Sequence, residues 1–263
     1  MTINKLKQII LTNDLNQFIH GADVQQIGIG CSGDSVLKIS KDGNDFFLKY
    51  SANKNIETEY KKLNWLQGRL PVPQIISYQY ENGIHYLLTR GLDGEMICTP
   101  RYMKNWHSGL NVILQAFEKL WAINIQDCSF DARLDYKLKQ IKEKIDSEQI
   151  KPEDIRPEFL EKYGSIDGIY EYLIKNKPDE QLCFSHGDTS LPNIFGHGDK
   201  LSGFIDVSDC GVGDIWFDIA VTAKSIKRNY NEEAVQIFYR EIKNKIGKIK
   251  HDIIDYYLTL VEL

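Results

Sequence analysis

Residues 185–206 read SHGDTSLPNIFGHGDKLSGFID, and three of them, Asp188, Asn193 and Asp206, decide how the chain is understood. Asp188 and Asn193 are separated by Thr189-Ser190-Leu191-Pro192. This is the spacing at which a kinase catalytic loop sets its acceptor-orienting Asp and its metal-binding Asn. Apolar Ile194 and Phe195 follow, then Gly196-His197-Gly198-Asp199-Lys200 as a turn, then a second strand from Leu201 to Val207. Such a hairpin returns Asp206 to the side of Asn193, where a second hard oxygen ligand can share a cation. Asp206 sits in an apolar run, Gly203-Phe204-Ile205-Asp206-Val207. A bound cation would remove the cost of burying its charge there. Phosphoryl transfer asks for this set: a carboxylate to hold the attacking hydroxyl and oxygen ligands for the cations that neutralise the phosphates.

The residues around this loop have supporting assignments. His186 is expected to brace the loop by hydrogen bonding, Asp214 to cap the helix that starts at Ile215, and Asp218 to order the loop. Upstream, Lys49 ends the strand Phe46-Phe47-Leu48-Lys49 and would direct an ammonium at nucleotide phosphates. Glu57 and Glu59 both qualify as its partner from the following helix. Gly28-Ile29-Gly30-Cys31-Ser32-Gly33-Asp34 can cover phosphates, because glycines allow close backbone approach. It is not a Walker A loop, since no Gly-Lys-Ser/Thr follows, and its glycines do not open a helix as a dinucleotide fingerprint would.

Periodicity divides the 263 residues into a strand-rich first part and a helix-rich remainder. Leu6 to Ile19 has helical spacing. Strands run from Ile27 to Ile39 and Asp45 to Tyr50, joined at Lys41-Asp42-Gly43-Asn44, and Asn82-Gly83 joins Ile75–Tyr80 to His85–Thr89. One helix, Ile56 to Leu66, interrupts them. Beyond Gly91-Leu92-Asp93-Gly94, helices are expected at 111–123, 166–175, 215–227, 232–245 and 252–261, with the 194–207 hairpin as the only clear sheet element. The Lys-rich run Lys137 to Lys151, interleaved with acids, reads as a solvated helix face. The fold class is α+β, with the division placed at 1–92 and 93–263.

Composition excludes other classes. Charged residues make up 26% with a net charge of −5, which is not a nucleic-acid-binding balance. No run approaches the ~18 apolar residues of a membrane span, and Lys5, Lys7 and Asp14 interrupt any secretory apolar segment. Five scattered cysteines without a C-x-x-C pair fit free thiols in a reducing cytoplasm. Neither nucleic-acid nor membrane partners are expected.

The stretches FSHGDTSLPNIF, GFIDVSDCGVGDIWFDIA, FFLKY, ETEYKKLNWLQGRLPVP and the final YYLTLVEL, in this collinear arrangement over nearly the whole chain, resemble the aminoglycoside phosphotransferases, most closely their 3′-phosphotransferase branch. The resemblance implies a bilobal, protein-kinase-like fold with a small β-rich nucleotide-binding lobe and a larger α-rich catalytic and substrate-binding lobe. It implies Asp188 as catalytic base, Asn193 and Asp206 as Mg²⁺ ligands, and ATP or GTP as co-substrate. Lys49, with Glu59 as the family's pairing residue, Ser32 and Gly33 would hold phosphates, and the backbone of Arg90 and Leu92 the base. An acidic insert and the C-terminus would grip the ammonium groups of an aminoglycoside through Asp154, Glu158, Glu262 and the carboxylate of Leu263. Two positions depart from the pattern: Asp209 stands where a basic residue is usual, with Lys224 a substitute cation, and Val261 where an acid occurs. The alternatives are a kinase of choline, homoserine or a macrolide on the same scaffold, a metal-dependent phosphohydrolase built on His186, Asp188, His197 and Asp206, and a non-catalytic pseudokinase.

Overall fold

The computed structural model describes residue 15, residues 18–29 and residues 34–263. Two compact units meet in sequence between Asp93 and Gly94. In the first, β1 (Asp23–Ile29), β2 (Ser35–Lys41), β3 (Asn44–Ser51), α1 (Asn55–Leu66), β4 (Ile75–Glu81) and β5 (Ile84–Arg90) give an antiparallel sheet ordered β1-β2-β3-β5-β4. Its tight turns carry positive φ at Asp42 (49°), Gly43 (73°), Asn82 (51°) and Gly83 (79°). That is the mirror-image turn whose twist matches paired strands, and it is why Asp-Gly and Asn-Gly mark them. Side-chain alternation sends Leu37, Ile39, Leu48, Tyr50, Tyr86 and Leu88 into one apolar cluster with Leu15. Lys49, between Leu48 and Tyr50, therefore points to the opposite face, which is the face α1 covers with Ile56, Leu63 and Leu66. The helix expected over 6–19 falls largely outside the described residues, as do Ser32 and Gly33.

The second unit runs β6 (Glu95–Met96), α2 (Pro100–Lys104), α3 (Trp106–Trp121), α4 (Leu134–Asp146), α5 (Pro157–Tyr163), α6 (Ile166–Lys175), β7 (Leu182–Ser185), β8 (Ile194–His197), β9 (Lys200–Phe204), β10 (Gly211–Asp214), α7 (Ile215–Asn229), α8 (Glu232–Ile246) and α9 (His251–Leu260). The chain is thus α+β, as its periodicity indicates. α4 buries Leu134, Leu138 and Ile141 while Lys139, Lys142 and Lys144 face solvent, the solvated face read from the sequence. α7 is the central helix: it packs on α8, α9 and β7, and its Trp216, Ile219, Ala220 and Ile226 are buried. No helix among the described residues is long and apolar enough to cross a membrane.

Two expectations are corrected. The hairpin is not the only sheet element here, because β7 pairs antiparallel with β10 and β6 adds a third strand beside β8. β7 and β10 span four residues each, and β10 is Gly-Val-Gly-Asp, too short and too glycine-rich to show alternation. Nor does the second hairpin strand continue to Val207. It ends at Phe204, because its partner strand begins at Ile194 and only one further rung, Ile205 N–H to Asn193 O (3.0 Å), forms beyond it.

The C-terminal helix is tied to the core through a buried acid. Asp214, at the end of β10, caps α7 by accepting from Trp216 N–H (3.2 Å), and also accepts from Gln181 N–H (3.1 Å) and Tyr257 O–H of α9 (2.7 Å). Burial raises the Asp214 carboxyl above its ordinary range, against the pull of these donors. An acid raised on folding carries a penalty that is absent below its unfolded pKa and complete once pH exceeds the folded one. Tyr257→Phe removes one donor from this carboxylate, at a cost of about 1–3 kcal/mol. Calorimetry should show a lower Tm at pH 7 and a smaller loss near pH 4.

Candidate active site

β7 delivers the chain to His186 and Gly187, and both are fixed from below by α7. Asp218, with no solvent exposure, accepts His186 N–H at Oδ2 (3.0 Å) and Gly187 N–H at Oδ1 (3.2 Å). Its backbone carbonyl accepts Thr189 Oγ1–H (2.9 Å), and Ser225 Oγ, two turns along α7, accepts Leu191 N–H (2.9 Å). One helix therefore holds the loop at four points. Burial raises the Asp218 carboxyl, while the hydrogen bond from the His186 amide pulls the other way. Gly187 has φ +85°, and a Cβ there would lie 2.4 Å from the Asp209 carbonyl oxygen. Only glycine fits this close approach without backbone movement.

The His186 ring braces the loop as its sequence position suggests. Nε2 faces the Ile205 carbonyl (3.1 Å), so it carries the proton, and Nδ1 accepts Asp188 N–H (3.3 Å). The ring thereby links the residue before Asp206 to the residue bearing the candidate base. Asp188 is partly exposed. Its Oδ1 accepts Ser190 N–H (3.1 Å) and its Oδ2 accepts Asn193 Nδ2–H (2.8 Å). Asn193 Nδ2 also faces the Asp188 carbonyl (3.1 Å) and Ser190 Oγ (3.3 Å). With acceptors on that side, the amide is oriented, and Oδ1 is left as a hard oxygen without a hydrogen bond among the described residues. Asp206 follows the last rung to Asn193 and is held at φ +57° with its side chain exposed. The burial cost argued from its apolar neighbours does not arise, because the strand ends two residues earlier. Two hard oxygen side chains, brought to one end of a hairpin, suit a small divalent cation that completes its shell with phosphate and water.

In the first unit Lys49 Nζ donates to both oxygens of Glu59 (2.7 and 2.9 Å). Glu59 is 7% exposed, whereas Glu57 pairs with Lys61 one turn along the helix surface. The two glutamates that the sequence left open are thus separated by which face of α1 they occupy. Arg90 N–H is already used by Gln74 O (2.9 Å) and Gly91 N–H by Asp45 O (2.8 Å). The backbone groups of Leu92 make no hydrogen bond among the described residues.

The acidic residues of the second unit are less open than the sequence implies. Asp154 closes a turn by accepting Lys151 N–H (3.0 Å), and Glu158 lies 3.3 Å from Arg156. Glu262 is gripped by Arg156 through Nε (2.9 Å) and Nη2 (2.7 Å), and by Lys224 Nζ (2.9 Å). Burial alone would raise the Glu262 carboxyl, but these cations outweigh it and hold it below the ordinary range. Leu263 N–H bonds to Leu260 O (3.2 Å), continuing the last turn of α9. Arg156 is the residue that sequence reading missed. Its signal was an isolated arginine among six acids, and its partner lies 106 residues away.

The pattern of the phosphotransferase enzyme family matches residues 23–244. An aminoglycoside 3′-phosphotransferase of Niallia circulans is 31% identical over 247 residues, covering 89% of this chain and 90% of that one. The chain belongs to this family, among the aminoglycoside phosphotransferases. A solved aminoglycoside 3′-phosphotransferase of type VIII shares the fold, with a TM-score of 0.81 at 22% identity over 95% of this chain and 99% of that one. So does aminoglycoside phosphotransferase APH(3″)-Id of Streptomyces rimosus, in complex with ADP and streptomycin, with a TM-score of 0.74 at 20% identity over 99% and 98%. The fold is therefore protein-kinase-like and the chain is a phosphotransferase.

Asp218→Asn leaves the volume unchanged but presents an amide N–H₂ to one of the two loop amides. The loop should shift, and a displacement of ~1 Å at a catalytic group costs about 10²-fold in turnover. The expected result is a fall of that order in kcat, with circular dichroism still showing a folded protein.

Proposed function

We propose that the protein transfers the γ-phosphoryl group of ATP, or of GTP, to a hydroxyl of an aminoglycoside, the 3′-hydroxyl, in the cytoplasm. In this reading residues 1–92 bind the nucleotide, and residues 93–263 carry catalysis and the acceptor. The observation that carries it is the Asn193 amide bonded to the Asp188 carboxylate, with Asp206 returned beside it by the hairpin. The names of the relatives support the acceptor class, and the ADP complex of the Streptomyces enzyme supports the nucleotide.

Asp188 accepts the hydrogen bond of the acceptor hydroxyl and directs its lone pair at the γ-phosphorus. The new O–P bond forms as the bond to the bridging oxygen breaks, the hydroxyl proton passes to Asp188, and the nucleoside diphosphate leaves. Lys49, oriented by Glu59, presents its ammonium to the phosphates. Ser32 and Gly33 cover them, and the backbone of Arg90 and Leu92 meets the base. Asn193 Oδ1 and the Asp206 carboxylate would hold Mg²⁺, which when bound neutralises phosphate charge. Asp154, Glu158, Glu262 and Leu263 form the acceptor end. The phosphohydrolase alternative gains nothing from His197, which is exposed at the far end of β8 from Asn193.

A coupled nucleotide-consumption assay across kanamycin, neomycin, choline and homoserine tests the acceptor class: turnover with the aminoglycosides is expected, and turnover confined to the other two would sink it. Asp188→Asn should lower single-turnover transfer by about 10²–10⁴-fold with nucleotide affinity little changed. Asp206→Ala should abolish Mg²⁺-dependent transfer and weaken nucleotide binding chiefly when Mg²⁺ is present. Equal weakening without Mg²⁺ would make Asp206 structural.

A further inference from the structure

Glu262 has two cationic partners that are held unequally. Its side chain is 5% exposed. Arg156 approaches with two parallel N–H bonds, lays its guanidinium over the Phe159 ring at 4.7 Å, and is backed by Glu158 at 3.3 Å. Lys224 reaches the same carboxylate with one bond, from the exposed side of α7, with its own side chain 42% exposed. A planar guanidinium fork matches a carboxylate and loses little freedom on binding it. A lysine ammonium on a four-carbon stem is rotatable and readily rehydrated. The four groups Arg156, Lys224, Glu158 and Glu262 carry formal charges that cancel. An incoming ammonium therefore finds no unpaired carboxylate at Glu262 and gains it only by displacing a resident cation. The cation with one bond and solvent access yields first.

We infer that Lys224 is a specificity-determining residue: it occupies Glu262 in place of an acceptor ammonium and must leave when a polycationic acceptor binds, while Arg156 stays and holds Glu262 in position. This rests on the acceptor reading above and assigns that end of the molecule a competitor rather than an open acidic surface. Two cations on one carboxylate then have opposite effects on the acceptor. Removing Lys224 exposes a positioned carboxylate, whereas removing Arg156 frees that carboxylate to move. Acceptors that place no ammonium at Glu262 leave Lys224 where it is and gain nothing from its removal.

The test measures kcat and KM for neomycin and kanamycin, the nucleotide KM, and Tm, in wild type, Lys224→Met, Lys224→Arg, Arg156→Met and Arg156→Lys. Lys224→Met should lower the KM of at least one of these acceptors about 3–5-fold, the size of an exposed ion pair, with the change in KM rather than kcat. Lys224→Arg should hold KM at or above the wild-type value. Arg156→Met should raise KM and lower Tm, and Arg156→Lys should restore part of both. The gate is overturned if Lys224→Met leaves KM unchanged or raises it, or if Arg156→Met lowers KM as well. A wild-type protein that phosphorylates choline or homoserine but no aminoglycoside overturns the acceptor reading and the gate with it.

Discussion

Asp218 is a carboxylate without solvent exposure, and it anchors the start of the loop that carries Asp188 and Asn193. Its two oxygens take consecutive amides, His186 N–H and Gly187 N–H, at the moment the chain turns away from β7. Without the acid the His186 amide would lose its only acceptor among the described residues, and a buried donor left unpaired is costly, while the Gly187 amide would keep only the Ser185 hydroxyl oxygen (3.1 Å). The same residue's carbonyl takes the Thr189 hydroxyl, so the loop is held on both sides of Asp188. Burying the acid raises its carboxyl, and the His186 amide that it satisfies offsets part of that cost.

α7 extends that constraint in both directions. Its cap, Asp214, ties β10 and the Gln181 amide to Tyr257 of α9. Its middle, at Asp218 and Ser225, positions the loop, and its exposed face at Lys224 meets Glu262 just beyond α9. A single rigid helix therefore sets the candidate base and the candidate acceptor end in one frame. Positioning of this kind is the main protein contribution to phosphoryl transfer, where little covalent chemistry is required. The small unit solves its own version with sheet alternation: Lys49 is placed between two core residues, Leu48 and Tyr50, so its ammonium is sent to the helix face where Glu59 waits.

What the sequence revealed followed from local pattern. Asp-Gly and Asn-Gly fixed two hairpin turns, and helical periodicity located α1, α6, α7 and α8 to within two residues at every boundary. The Asp188–Asn193 spacing indicated the loop, and the residues after it indicated the hairpin that brings Asp206 back. What it concealed depended on pairings distant in the chain. β7 and β10 each offer four residues, and only their mutual register makes them strands. The apolar neighbours of Asp206 suggested a buried position. The carboxylate is exposed because the partner strand stops at Ile194, which no pattern around residue 206 reveals.

Acidity offers the sharper lesson. An excess of five negative charges and six acids between Lys151 and Glu171 suggest an open anionic surface for a cationic acceptor. Yet a count of acids measures potential only where their counter-charges are distant. Arg156 lies inside the same segment and Lys224 on a helix 68 residues further on, and both converge on Glu262. Exposed pairs are weak individually and screened by salt, and the single bond from Lys224, itself 42% exposed, is of that kind, but the carboxylate it meets is 5% exposed and also takes two bonds from Arg156. Its charge is committed before any acceptor arrives. Selectivity at this end of the molecule then depends on exchange between cations, and so on which cation holds the carboxylate less firmly, rather than on how many acids the chain contains.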